Sequence, residues 1–112
     1  MTPAPSRVRF LFAGVFALTC GVHLFAIVHP GDGSSTLRHA LFAGVNGIFA
    51  LLFARQVRWV FFPLVALSVQ QAYSHGTDLV EAARHGRVDV QSALVLAFLP
   101  LALGQAWRWW RT

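Results

Sequence analysis

The chain reads as an all-α integral membrane protein: an antiparallel four-helix transmembrane bundle, N-in/C-in, with a short amphipathic helix in the outer connection between helices three and four. Three observations predict this. Hydrophobic residues make up 56% of the 112 residues and charged residues only 12%, about half the charged share of a soluble domain. The apolar residues fall in four blocks, near residues 8–28, 37–54, 57–75 and 88–107, each close to the ~17–25 residues that cross a bilayer as helix. All nine basic residues are arginines and stand in the connections and at block ends, as topology signals do. A chain of this length is one domain, 1–112.

Block one follows Arg7 and Arg9. It is long, and no small-x-small cleavage pattern precedes His29-Pro30, so it predicts an uncleaved first helix in place of a secretory signal. Ala17-Leu18-Thr19-Cys20 does not fit a lipoprotein site either. Cys20, the single cysteine, reads as a small buried filler. Thr19 and His23 lie one turn apart on one face. His29-Pro30-Gly31-Asp32-Gly33 stops the helix, and Ser34 or Ser35 caps the next.

Helix two opens with Arg38-His39 and carries Asn46 two turns further along the same face. Ala40, Ala43, Gly44 and Gly47 leave room for close helix contact. The short Arg55-Gln56-Val57-Arg58 connection makes a tight hairpin with helix three, which Pro63 bends mildly. Gly76 interrupts that helix after His75. Asp78 and Glu81 then stand in capping-box spacing before a short helix, Leu79 to His85, closed by Gly86. Asp89 caps helix four, Pro100 kinks it, and Trp107, Trp109 and Trp110 end it.

Four spans place both termini on one side. That side holds six arginines (Arg7, Arg9, Arg55, Arg58, Arg108, Arg111) against three (Arg38, Arg84, Arg87), which makes it the cytoplasmic side of a bacterial-type inner membrane. The net charge of +5 is thereby explained by topology, not by nucleic acid. Trp59, Trp107, Trp109 and Trp110 mark the inner boundary and Tyr73 the outer one. All five histidines (His23, His29, His39, His75, His85) and all four acids (Asp32, Asp78, Glu81, Asp89) map to the outer side.

Histidine with carboxylate suits a transition metal, with neutral imidazole as donor. His23 lies six residues inside His29, about 9 Å deep at 1.5 Å per residue, and an ionisable side chain within a span marks a site. The expected ligands are His23, His39, His75 and Asp78, drawn from different helices at similar height, with Asp78 a fourth ligand or a partner that fixes a ring tautomer. Arg38, Asn46, Gln70 and Gln71 would orient a cofactor or substrate. The groups such a site takes are a zinc, copper or iron ion, or haem b held axially by His23 and His75 with Arg38 near a propionate. His29 and His85 read as solvated, and Asp78 and Asp89 serve equally well as helix caps. Asn46, Gln70 and Gln71 serve equally as interhelical glue.

The function expected is an accessory or small catalytic subunit that binds the metal or haem at this outer site. The alternative is a non-catalytic subunit or assembly factor docking a membrane protein partner, or a second copy, through its polar outer end. The lipid bilayer is the remaining partner. No serine elbow, phosphate-binding glycine loop or paired-cysteine motif occurs in the sequence. Polar residues do not run the length of any block, Gln105 being the main one near the inner end, which disfavours a continuous proton path.

Overall fold

The computed structural model describes residues 6–29 and 35–112, and all regular structure among them is helical. Four helices follow in order: α1 (Ser6–Val28), α2 (Thr36–Ala54), α3 (Phe61–Arg84) and α4 (Val90–Arg111). A single 3-10 turn, Arg58–Val60, precedes α3. The Pro30-Gly31-Asp32-Gly33 stop signal and Ser34 lie outside the described residues, as does the Pro-rich start of the chain. The chain divides into two compact helical hairpins, residues 1–57 and 58–112.

Three of the helices are long and apolar enough to cross a membrane: Arg7–Val28, Thr36–Ala54 and Val90–Arg111. Their outward faces suit lipid, with Leu11 67%, Leu18 70% and Leu94 66% exposed. In water such surfaces would drive association. The third block departs from expectation. At 24 residues α3 is about 36 Å long, ample for a bilayer, but its apolar run ends at Val69. From Gln70 onward amides, hydroxyls, His75, Asp78 and Glu81 bring its hydropathy below that of a span.

The expected break at Gly76 is also absent: α3 runs unbroken to Arg84. One helical glycine costs only about 1 kcal/mol, less than disrupting the intrahelical hydrogen bonds around it. The residues expected as a separate short amphipathic helix are therefore the last two turns of α3. Asp78 and Glu81 cap nothing there, because the N–H groups following them already bond within the helix. Pro63 sits in the first turn, where its missing N–H would be unpaired in any case.

In the first hairpin, α1 and α2 pack antiparallel through aromatic rings at one end. Phe16 lies 5.4 Å from Phe49 and 5.3 Å from Phe53, and Phe12 lies 5.6 Å from Phe53, centroid to centroid. Towards the other end the contact narrows: a Cβ added at Gly47 would meet Cys20 Sγ at 3.6 Å. Ala43 is buried there as well. The small-residue face is thus Ala43 and Gly47, while Gly44 and Ala40 are exposed.

α2 ends in a Schellman turn: the Gln56 N–H donates to Phe53 O and the Val57 N–H to Leu52 O, both at 3.0 Å. This requires a left-handed residue, and Gln56 supplies it at φ 53°. α3 ends the same way, with Gly86 N–H to Ala83 O and Arg87 N–H to Ala82 O, and there the left-handed residue is Gly86 at φ 68°. The expectation that Gly86 stops the helix holds.

In the second hairpin, α3 and α4 pack antiparallel. Phe61 meets Trp107 at 5.2 Å and Phe62 meets Trp110 edge-on at 4.8 Å. The Arg58 guanidinium donates to the Trp109 and Trp110 carbonyls at 3.2 and 2.9 Å. A cation thereby closes the negative end of α4, so Arg58 has a structural task beyond topology. Leu64, Ala102 and Ala106 are fully buried, and α4 continues through Pro100.

Candidate functional site

Each hairpin holds one imidazole centre, and the two are built differently. In the first, His23 of α1 and His39 of α2 meet with their Nδ1 atoms 3.1 Å apart. His39 is buried and His23 half-buried. Ser35 sets the position of His39: its Oγ accepts the Arg38 N–H at 3.1 Å, starting α2 one turn ahead so that His39 falls on the face that also carries Ala43 and Asn46. The His23 ring stacks on Phe42 at 5.5 Å, and the exposed Arg38 guanidinium lies 5.7 Å from the Phe42 ring. An aromatic shelf thus supports His23 while its Nδ1 faces the neighbouring helix.

Two neutral imidazoles joined Nδ1 to Nδ1 must be opposite tautomers, one donating and one accepting. Two further polar groups of this hairpin turn back on their own helices. The Thr19 hydroxyl donates to Val15 O at 2.9 Å and the Asn46 amide to Phe42 O at 2.8 Å. His29 is exposed, its ring stacked on Phe25 at 4.3 Å. Asp32 lies outside the described residues.

The second centre is a chain of three side chains between α3 and α4. His75 Nδ1 lies 2.8 Å from Ser92 Oγ. The Ser92 hydroxyl donates to Asp89 Oδ2 at 2.7 Å, and the Ser92 N–H donates to Asp89 Oδ1 at 3.1 Å. Asp89 therefore caps α4 as expected and also holds a side chain. The Ser92 hydroxyl and N–H, accepted by the Asp89 carboxylate, hold that carboxyl below its ordinary value of 3.8. Ser92 is 2% exposed. It escaped the sequence reading because a serine three residues into a helix usually serves only the cap; the available signal was its place one turn after a capping aspartate.

The remaining candidates are dispersed. Asp78, Gln70 and Tyr73 are exposed on α3, and the Gln71 amide donates to its neighbour Gln70. His75 thus finds its Nδ1 partner in Ser92, while Asp78 stands outside this chain of contacts. His85 donates from Nδ1 to Glu81 O at 2.9 Å, in keeping with a surface role. Gln105 is buried on α4. Among the described residues, no three histidine, cysteine, aspartate or glutamate side chains gather into a group that could hold a metal ion. His23 and His39 come together; His75 stands in the other hairpin.

The arrangement offers paired imidazole nitrogens in one hairpin and an imidazole tied to a carboxylate in the other. Comparison with known proteins adds nothing to this: no family model, curated protein or solved structure matches the chain.

Proposed function

We propose that this is a small membrane protein that binds a transition-metal ion through imidazole, as an accessory or small catalytic subunit, with His23 and His39 as the primary ligands. The observation that carries the reading is their 3.1 Å Nδ1 separation. Two bonds of about 2.0–2.1 Å meeting near the tetrahedral angle need nitrogens about 3.3 Å apart, close to the spacing present. To bind an ion the donating ring would carry its proton on Nε2, staying neutral, and both rings would turn so that their Nδ1 lone pairs converge. A merely structural hydrogen bond between helices would not require two imidazoles; serine or asparagine serves as well.

Two protein ligands leave coordination positions open, whereas structural zinc sites are closed by four. Open positions suit an ion that is passed on, or one that polarises a substrate. Arg38 and Asn46, in the same hairpin, are the orienting groups proposed. In the full reading α3 also crosses the bilayer with its polar face covered by protein, both termini are cytoplasmic, and the histidines stand on the outer side of the inner membrane.

The test is elemental analysis and a visible absorption spectrum on detergent-purified protein, alongside His23→Ala and His39→Ala. Stoichiometric zinc, copper or iron that falls at least tenfold in both variants supports the reading. A haem band in place of the metal, lost in His23→Ala, replaces the ion with haem b. Metal-free, colourless protein after reconstitution overturns it in favour of partner docking through the polar half of α3.

A further inference from the structure

The two ends of the second hairpin differ in charge. Among residues 58–112 every acidic side chain (Asp78, Glu81, Asp89) stands towards the end where α3 gives way to α4. The arginines there have carboxylates beside them: Arg84 lies 3.9 Å from Glu81. The opposite end, formed by the start of α3 and the finish of α4, carries Arg58, Arg108 and Arg111 and no acidic side chain. All three arginines are exposed. Arg108 and Arg111, three residues apart, are neighbours on the α4 surface.

Aromatic rings frame this basic end. The Arg111 guanidinium lies 5.8 Å from the Trp107 ring centroid and that of Arg58 5.9 Å from Trp110. Contacts with Phe61 and Phe62 hold these two indoles in place, yet Trp107 stays 44% and Trp110 39% exposed, and Trp59 56%. The bonds from Arg58 to the Trp109 and Trp110 carbonyls leave further N–H donors on its guanidinium.

α4 is long and apolar enough to cross a membrane, so its last turn falls at headgroup level, where exposed tryptophans are at home. Guanidinium forks match phosphate oxygens, and basic residues at a membrane surface draw anionic lipid. An acidic protein segment would satisfy the charge, but it gives no reason for three exposed indoles at the end of a membrane-length helix.

We propose that this end of the hairpin docks the headgroup of an anionic phospholipid, its phosphate taken by Arg108 and Arg111 beside Arg58, with Trp107 and Trp110 against the glycerol region. The inference goes beyond the imidazole reading and does not rest on it, because none of these residues belongs to either imidazole centre.

All four tryptophans of the chain sit at this end, so their fluorescence reports the surface directly. Full-length protein is reconstituted in dioleoyl phosphatidylcholine vesicles containing increasing fractions of dibrominated phosphatidylglycerol or dibrominated phosphatidylcholine, whose bromines quench nearby indoles. Wild type is expected to prefer phosphatidylglycerol by about fivefold or more. Arg108→Gln/Arg111→Gln is expected to lose that preference with unchanged helix content, Arg58 being left intact for its bonds to α4. Arg84→Gln/Arg87→Gln, at the other end, is expected to keep it.

Equal quenching of wild type by the two lipids overturns the proposal, and saturable binding of polyglutamate in that case assigns the surface to an acidic protein segment. A preference unmoved by Arg108→Gln/Arg111→Gln, or lost equally in Arg84→Gln/Arg87→Gln, reduces it to the overall charge of the chain and likewise overturns it.

Discussion

The two hairpins solve the same problem, a polar ring among apolar helices, in different ways. In the first, His23 meets another imidazole, and the described residues of that hairpin contain no carboxylate. Either ring can donate, so the pair is symmetric in principle. In the second, a carboxylate fixes the direction of each hydrogen bond from Asp89 through Ser92 to His75. One centre is adaptable and the other is committed. The difference arises from what lies one turn away: an aromatic shelf and a serine cap in one case, an aspartate cap in the other.

The sharpest way to break this comparison is topological. If α3 crosses the bilayer, cysteines at Arg55 and Arg87 lie on opposite sides, and a membrane-impermeant thiol reagent applied to intact cells labels only Arg87→Cys. Labelling of both or neither would leave α3 on one side of the membrane, and the two imidazole centres would then face different surroundings. Cys20 is replaced by Ala in this experiment to give a silent background.

A smaller effect concerns the caps. Ser35→Ala removes the acceptor for the Arg38 N–H and should cost about 1 kcal/mol, read as reduced resistance to denaturant in detergent. It should also loosen the His23–His39 contact by releasing the start of α2. The matching serine in the second hairpin, Ser92, is a donor and not a cap, so its removal should act on His75 more than on helix stability.

The two Schellman turns give a subtler comparison. Gln56 holds a left-handed conformation that costs a non-glycine residue about 1–2 kcal/mol, and part of the gain from glycine is lost to the unfolded chain's freedom. Gln56→Gly should therefore stabilise by about 0.5–1 kcal/mol, and Gly86→Ala should destabilise by about 1 kcal/mol. Equal effects of the same sign would contradict the assigned geometry.

The mildest effect is that of acid. Folding lowers the Asp89 value, so its ionised form stabilises the fold. That contribution is whole above the ordinary value of 3.8 and disappears as pH falls through the lower folded value. Asp89→Asn should flatten the acid limb of a stability profile. No such change is expected for His29→Ala or His85→Ala, whose rings lie at the surface.

Much of the fold was legible because length and hydropathy act locally. α1, α2 and α4 appear within three residues of their expected starts, and Ser35, Gly86 and Asp89 perform the expected turns. The third block was misjudged because Gly76 and the Asp78/Glu81 spacing look like punctuation, whereas a helix already propagating passes through one glycine cheaply. The candidate site was legible only in part. His23 stood out as an ionisable residue inside an apolar block, but helix contacts leave no fixed sequence spacing, so His39 could not be chosen over His75 as its partner. The link from Ser92 to His75 could not be read, because the histidine lies seventeen residues away on another helix.

The most direct test of the central claim is X-ray absorption at the zinc edge on the purified, zinc-loaded protein. The account predicts imidazole scattering from at least two rings at about 2.0–2.1 Å, dropping to one or fewer in His23→Ala/His39→Ala. Zinc bound without imidazole ligands, or an unchanged spectrum in the double variant, would contradict it.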